Sequence, residues 1–489
     1  MLNPHEEAPA TVASERQRTF AMFVVSVAMV LEIVDVSILN VAVPVLQRDL
    51  QASGHEIEWV FSGYLFFFSV LLLTGGRLGD RFGYRRLFMA GLLGFGLAST
   101  GCGLARSPEM LIAMRIMQGV SGAMMGPQIL SLVQVLYAPH ERFKVMSIFG
   151  ILGGAAGVLG PILGGLIIEA NLFGLSWRPV FLINVPVVLI ALALAWRVLP
   201  ATRSPRVSGI DIPDTLLAMI GSGLLLFTLV QGPALQWPLW ITLLPLSALA
   251  LLMLMWRALS RREKLGMPGL FPPSLLQERC FAAGIGTTLL YQLATASLLL
   301  ATSLALQTGL RQSPLHTALL HVPFALGAAF SIGVAGRQLV PRLGRNIVPV
   351  GVAVQLLALL LMGAGVTVNA PGLALTLLGA GFGLCGCGMG LISAPLPAFA
   401  MARVPVAHAG AASGLFRTGQ QFGAALGMST LGGFYLAQTA RAPAQWAQAF
   451  ITLLLFNAAL LLVIALLSRL LPSHVHKAPA KAAKQCVSQ

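Results

Sequence analysis

The sequence predicts an all-α polytopic membrane protein of fourteen transmembrane helices, built as two six-helix halves with two inserted spans. Three observations predict it. The 489 residues are 57% hydrophobic and only 10% charged, whereas ordinary soluble domains carry roughly 25% charged residues. Fourteen apolar windows each approach the about 20 residues that a helix needs to cross the hydrocarbon core. Of the 31 Lys and Arg residues, 24 fall on one set of alternate connections and 5 on the other.

The windows are 20–46, 58–76, 87–105, 109–136, 145–169, 179–199, 214–233, 238–257, 281–307, 316–337, 347–367, 371–396, 410–437 and 447–470. They are continuously apolar rather than alternating, which excludes a β-barrel. The first is too long for a signal-peptide core and has no small-residue cleavage site, so it reads as a retained span. The Lys and Arg excess marks one side as cytoplasmic, and an even span count puts both termini there. The organisation is then a cytoplasmic tail 1–19, a first half 20–199, a linker 200–280 with two extra spans, a second half 281–470 and a cytoplasmic tail 471–489.

The net charge of +15 is thus a signal of topology. Nucleic-acid binding would need a basic soluble domain with aromatic or groove-reading elements, and the sequence offers none. The basic tail Lys477–Lys484 can touch anionic lipid instead. The five cysteines suggest no disulfide in an outer loop. Cys385 and Cys387 lie two apart on different faces of an apolar helix, without His or carboxylate nearby, so they read as packing residues rather than metal ligands. No metal or cofactor is expected.

Between the second and third windows lies Gly75-Gly76-Arg77-Leu78-Gly79-Asp80-Arg81-Phe82-Gly83-Tyr84-Arg85-Arg86. Its four glycines permit a tight turn, and its charges place it at an aqueous surface. A degenerate copy, Gly336-Arg337-Gln338-Leu339-Val340-Pro341-Arg342-Leu343-Gly344-Arg345-Asn346, follows the second span of the second half. Pro341 stands there for Asp80 and Gln338 for Arg77. The two halves are therefore a repeat about an axis along the membrane normal, with a binding site between them near the midplane. Spans 7 and 8 read as free of charge before Arg257, which suggests a lipid-facing structural role.

Ionisable residues at membrane depth cost roughly 2.5–3.5 kcal/mol each on insertion scales, so each calls for a reason. Glu32 and Asp35 stand at i and i+3 on one face of the first span. Such a pair can bind and release protons and attract a cation. Arg115 lies in the fourth span at a depth from which its long side chain can reach them. Arg417 is the one strong charge deep in the second half, where spans 9–14 hold no Asp or Glu. It therefore meets an acid of the first half or faces the cavity. Glu32, Asn40, Arg417, Gln420 and Gln421 are the substrate-cavity candidates. Glu169 sits near the outer end of span 5, and His321 reads as a satisfied or pore-facing polar residue rather than a proton relay. In span 5, Gly157, Gly160, Pro161, Gly164 and Gly165 leave one side of the helix nearly bare, which permits close helix contact, and Pro161 adds a kink.

Four features together resemble the fourteen-span drug:proton antiporter branch of the major facilitator superfamily. They are the Gly75–Arg86 loop, Asp35 before Val36-Ser37-Ile38-Leu39-Asn40-Val41-Ala42-Val43-Pro44, the run Arg115-Ile116-Met117-Gln118-Gly119, and the Gly157–Gly165 stretch. Trp177-Arg178-Pro179-Val180-Phe181-Leu182-Ile183-Asn184-Val185-Pro186 resembles the segment leading into the sixth span of that branch. The resemblance spans about residues 20–470. It implies a major facilitator fold in a bacterial inner membrane. Gly76, Arg77, Gly79, Asp80, Arg81, Gly83, Arg85 and Arg86 would form a gating loop that stabilises the outward-facing state. Asp35 would couple protons, with Glu32 and Arg115 assisting, and the span 5 glycines would seal the interface between halves. Two features depart from the pattern: Glu32 is an additional acid, and Arg417 stands one turn before the usual position, which Gln420 occupies.

The expected function is a proton-coupled multidrug exporter of amphipathic, cationic compounds, working by alternating access. Its partners would be the small-molecule substrate, protons and the lipid bilayer; the chain would be monomeric, and a periplasmic adaptor is compatible with the branch. The alternative is an exporter or importer of one anionic metabolite or natural product, with Arg417 binding the anion. An enzyme would need clustered His or carboxylate groups at a membrane face, and a sensor would need an aqueous output domain. The sequence has neither.

Overall fold

The computed structural model describes residues 15–137, 139–200, 212–267, 269–334, 338–368, 370–404 and 409–473. The tail before residue 15, Gly336 and Arg337 of the second loop, and Lys477–Lys484 lie outside the described residues.

All regular structure among the described residues is helical, as hydrocarbon demands of segments that must satisfy their own backbone hydrogen bonds. Among the described residues, fourteen principal helices overlap the fourteen apolar windows. They are α1 (Glu15–Leu50), α2 (Gly54–Phe82), α3 (Tyr84–Gly103), α4 (Pro108–Leu136), α5 (Pro139–Ala170), α6 (Pro179–Val198), α7 (Ile212–Ala234), α8 (Leu239–Lys264), α9 (Arg279–Leu304), α10 (Pro314–Val334), α11 (Ile347–Thr367), α12 (Pro371–Ser393), α13 (Ala409–Gly427) and α14 (Trp446–Leu467). Nine among the described residues are long and apolar enough to cross a membrane by composition, or ten with the bent α2 taken as one span. The other four are α3, α4, α5 and α13. Two of them carry the charges of interest, Arg115 on α4 and Arg417 on α13.

The pairing of helices repeats. In the first half α1 packs on α5 and α6, and α4 packs on α2 and α3, with α3 also against α6. In the second half α9 packs on α13 and α14, and α12 packs on α10 and α11, with α11 also against α14. Each first-half contact therefore has a counterpart eight helices later. The halves meet in the same symmetric sense, through α2 with α13 and α5 with α10.

Glycines set these contacts. A methyl group at Gly119 of α4 would run into the Tyr64 carbonyl of α2, and one at Gly386 of α12 into the Phe324 carbonyl of α10. Likewise Gly164 of α5 would meet Ile38 of α1 at 2.8 Å, and Gly423 of α13 would meet the Leu289 backbone of α9. Where lipid gives no hydrophobic drive between helices, such backbone approach supplies the packing.

Two expectations need correcting. Residues 75–82 are not a turn: α2 continues through them, bending by 52° after Leu72, and only Gly83 (φ 98°) breaks the helix before α3. Glycine is required at that one position because the conformation is costly for L residues with a side chain. Gly344 (φ 55°) plays the same part in the second loop. Spans 7 and 8 are also not free of charge. Asp214, in the first turn of α7, is buried and pairs with Arg262 of α8 at 3.3 Å. The pair α7–α8 docks on α2 through a Thr74–Thr215 hydroxyl contact of 3.0 Å and Gly223 against Phe66, while α8 turns Leu239, Leu243, Leu246 and Met253 outward.

Several contacts between halves gather at the end of the bundle where α1 joins α2. Gln307, just past α9, donates to the Val41 carbonyl at 3.0 Å. Gly165 of α5 abuts Ala318 and Pro314 of α10. Gly54 of α2 abuts Leu436, on the Gly433–Arg441 helix that continues α13 through a π-turn at Met428–Gly432. The bundle is closed at this end.

At the same end Asp49, beyond the first span, accepts hydrogen bonds from the Trp177 indole and from Arg178, each at 2.8 Å. The Trp177 bond, helped by Arg178, holds the Asp49 carboxyl below the usual carboxylate range. A depressed acid stabilises the fold above the ordinary Asp range and loses that contribution as pH falls through its own lower value. Asp49→Asn should therefore lower the melting temperature at neutral pH. The gap to wild type should narrow below about pH 4, which paired thermal melts will check. Gly386→Ala should cost about 1–3 kcal/mol by overpacking. Gly333→Ala, where a methyl meets nothing within 4 Å, should leave the melt unchanged.

Candidate functional site

The site is built on α1. Its apolar sequence makes a helix, and its i, i+3 spacing puts Glu32 and Asp35 one above the other. Both are buried, yet they face different partners. Asp35 is fully buried and ion-paired to Arg115 of α4, Nη1 to Oδ2 at 2.5 Å. Its Oδ1 accepts from Gln118 Nε2 at 3.1 Å and from Asn184 Nδ2 at 2.8 Å. Asn184 also donates to Ser99 Oγ of α3 at 2.9 Å, and Ser99 donates in turn to the Phe181 carbonyl at 3.0 Å. Arg115 donates to Gln118 Oε1 at 2.8 Å and, through Nε, to the Val60 carbonyl of α2 at 3.2 Å. Its guanidinium lies 4.3 Å from the centre of the Tyr64 ring, a cation–π contact strengthened by the burial of Arg115. One carboxylate and its partners thus tie together α1, α2, α3, α4 and α6.

Glu32 faces the other half. Its Oε1 accepts from Arg417 Nη2 of α13 at 3.0 Å. Its Oε2 is buried and accepts no hydrogen bond among the described residues. Arg417 is the more open partner, its side chain 28% exposed, and its guanidinium lies 5.9 Å from the Phe68 ring centre. Asn40 donates to its own helix at the Ser37 carbonyl, 3.3 Å, and leaves Oδ1 buried without a donor. Gln420 and Gln421 are half-buried just past Arg417.

The second half repeats the helices of the Asp35 cluster with neutral chemistry. Gln355 of α11 donates to the Tyr291 hydroxyl of α9 at 2.9 Å and to the Cys385 carbonyl of α12 at 3.3 Å. His321 of α10 is buried, with Nδ1 at 2.8 Å from the Thr317 carbonyl.

At the α2–α3 end, Gly76 and Gly79 pack against Pro127 and Gln128 of α4, and Asp80 accepts from the Tyr84 hydroxyl at 2.8 Å. Arg77 donates to the Gly269 carbonyl beyond α8, so the inserted pair reaches the loop. Arg85 donates to the Trp196 carbonyl of α6 and stacks on that ring, while Arg81 and Arg86 are exposed. The second loop keeps the same clamp: Arg345 donates to the Arg469 and Leu471 carbonyls after α14, at 2.6 and 2.9 Å. In α5, Gly160 and Gly164 lie on Ser37 and Ile38 of α1, Gly165 lies on α10, Pro161 is buried, and Gly157 faces open space.

Ser99 and Tyr64 were not singled out in the sequence, and Gln118 and Asn184 entered it only within the runs Arg115–Gly119 and Trp177–Pro186. Their signal was there as polar groups within apolar spans, with Gln118 one turn after Arg115.

Two pseudo-symmetric six-helix halves with buried charge at their junction define an integral membrane transporter rather than an enzyme. The model of the Major Facilitator Superfamily matches residues 25–428, and the chain belongs to that superfamily. It is 36% identical to the "Probable actinorhodin transporter" of Streptomyces coelicolor, over 85% of this chain and 72% of that protein. It is 32% identical to a puromycin resistance protein of Streptomyces alboniger, over 87% and 83% of the two chains. It is also 32% identical to a cephamycin export protein of Amycolatopsis lactamdurans, over 94% of both. An auto-inhibited POT family peptide transporter shares the fold at a TM-score of 0.66 and 17% identity, covering 95% of this chain and 99% of that one.

Removing one partner of a buried ion pair leaves the other charge uncompensated, at about 3–5 kcal/mol. Arg115→Ala should therefore destabilise the detergent-solubilised protein strongly. Asp35→Asn, which keeps the hydrogen-bonding shape, should be milder, and Arg115→Ala with Asp35→Asn should recover part of the loss. A double-mutant cycle of melting temperatures measures this coupling.

Proposed function

We propose that this protein is a proton-coupled exporter of amphipathic, cationic compounds that works by alternating access. The observation that carries the reading is the juxtaposition on α1 of two differently partnered carboxylates, Asp35 inside the first half and Glu32 across to the second. Resistance and export proteins among the relatives support the exporter direction, including a methyl viologen resistance protein of Salmonella typhimurium, 30% identical over 68% of this chain.

A proton arriving at Asp35 converts an oxygen that accepts from Arg115 into one that donates, so the ion pair and its five-helix tie weaken together. A proton arriving at Glu32 releases Arg417 and with it the bond between halves. Loss of the negative charge also removes the attraction for a bound cation, so substrate leaves as protons enter. In the state described here Arg417 is neutralised by Glu32, which leaves little positive field for an anion.

The same reading takes the chain as monomeric, with fourteen spans in the bacterial inner membrane, both termini cytoplasmic and the closed α1–α2 end outside. The halves are 20–199 and 281–470, with the inserted pair in 200–280. The Gly75–Arg86 segment serves as the gating loop and the α5 glycines as the sliding contact on α1 and α10.

In everted vesicles loaded with a pH gradient, Asp35→Asn should abolish gradient-driven accumulation of a cationic dye. Glu32→Gln should retain coupling but bind the dye more weakly, by about tenfold or more, as expected for loss of a buried charge contact. Accumulation that persists unchanged in Asp35→Asn overturns the coupling role.

A further inference from the structure

A third carboxylate lies at the junction of the halves, away from both ion pairs. Glu58 stands one turn into α2, on the face that also carries Gly54 and Ser62 at i−4 and i+4. All three residues touch the second half. Gly54 abuts Leu436, and Ser62 donates to the Ala425 carbonyl at 3.4 Å. Glu58 itself is only 6% exposed, and its carboxylate lies directly over Gly433. A methyl group built on Gly433 would stand 2.5 Å from Oε1 and 2.8 Å from Oε2. Gly433 is thus bare because the acid occupies its side-chain space.

Nothing compensates a charge there. Among the described residues Glu58 forms no ion pair and accepts no hydrogen bond. The cations of the packed helices are committed elsewhere: Arg115 of α4 to Asp35 and the Val60 carbonyl, and Arg417 of α13 to Glu32. On α4 the other charge is the exposed Glu109, and the only charged residue of α7, Asp214, lies in its first turn and pairs with Arg262. On α2 itself, His55 and Glu56 are bonded to Ser53. The Gly433–Arg441 helix offers the neutral, buried Tyr435 and ends at Arg441, eight residues on. An ionised carboxylate held in such a place costs far more than a neutral acid, and the penalty disappears once the halves separate and water enters.

We propose that Glu58 is a second proton-binding residue of the transport cycle, and that the closed junction of α2 with the Gly433–Arg441 helix is the form that holds its proton. Asp35 would then govern the inner network while Glu58 governs closure at the end assigned to the outside. A proton from that side neutralises Glu58 and lets the halves close over Gly433. Loss of the proton favours reopening. The proposal rests on the reading of the chain as a proton-coupled exporter, and its test reads the junction without reading transport.

Spin labels on Gln51→Cys and Ala440→Cys, both exposed positions flanking the junction, in full-length protein with the native cysteines changed to Ala, report its width by electron–electron distance measurements in liposomes. From about pH 6 to about pH 9 the open population should rise, by up to about tenfold per pH unit for one linked proton. Glu58→Gln should hold the junction closed across the whole range, and Gly433→Ala should open it at every pH by displacing the carboxylate. Asp35→Asn should keep the pH response. A width that ignores pH in the parent, a response that survives Glu58→Gln, or one that vanishes in Asp35→Asn overturns the assignment. A Glu58-dependent response in a protein whose export ignores the pH gradient would defeat the exporter reading and leave this one standing.

Discussion

A carboxylate at membrane depth persists only where protein replaces water around it, and Asp35 shows what that replacement requires. Arg115 cancels its charge at 2.5 Å, while Gln118 and Asn184 fill its other oxygen. Each of those partners is itself held: Arg115 by the Val60 carbonyl and the Tyr64 ring, Asn184 by Ser99. Satisfying one acid therefore fixes the relative positions of α1, α2, α3, α4 and α6. A single proton that changes the acid's charge is felt by five helices at once, because a buried polar network is stable only when every member is partnered.

The two halves share packing but not chemistry. Glycine contacts recur at equivalent helix pairs, and so do the loop arginines, Arg85 and Arg345, that clamp the ends of α6 and α14. The charge does not recur. Gln355, bonded to Tyr291 of α9 and the Cys385 carbonyl of α12, joins in neutral form the counterparts of the α1, α3 and α4 helices that the Asp35 cluster joins in charged form.

Glu32 and Arg417 join the two. Their 3.0 Å pair crosses from α1 to α13 and lies between halves that otherwise meet through small residues and backbone, at Gly165 on α10 and Gly54 on Leu436. Small-residue contacts slide and separate without leaving charges exposed to lipid. An ion pair cannot part without water or a proton, so its opening is conditional in a way that the small-residue contacts are not.

How much of this was legible beforehand follows from what each signal depends on. Composition and hydrophobic run length decided the class of protein and its long apolar helices, because a helix in hydrocarbon must be long, apolar and self-bonded whatever it packs against, and the degenerate loop copy at 336–346 pointed to the repeat. The cost of charge in lipid picked out Glu32, Asp35, Arg115 and Arg417 one by one for the same reason. Partners were a different matter. That Glu32 and Asp35, neighbours on one turn, answer to opposite halves could not be read from spacing, since it depends on which helices stand on either side of α1. Gln118, Asn184, Ser99 and Glu58 gave only the weak signal of polar residues in apolar or edge positions. Gly75–Arg86 read as a turn because glycine and charge both argue against a helix locally, yet α2 runs through to Phe82, packed against α4. The sequence by itself determined what must be buried and how long each span must be, both properties of a residue and its solvent. Only the tertiary structure decided which buried group satisfies which, because that is settled by distances between helices far apart in the chain.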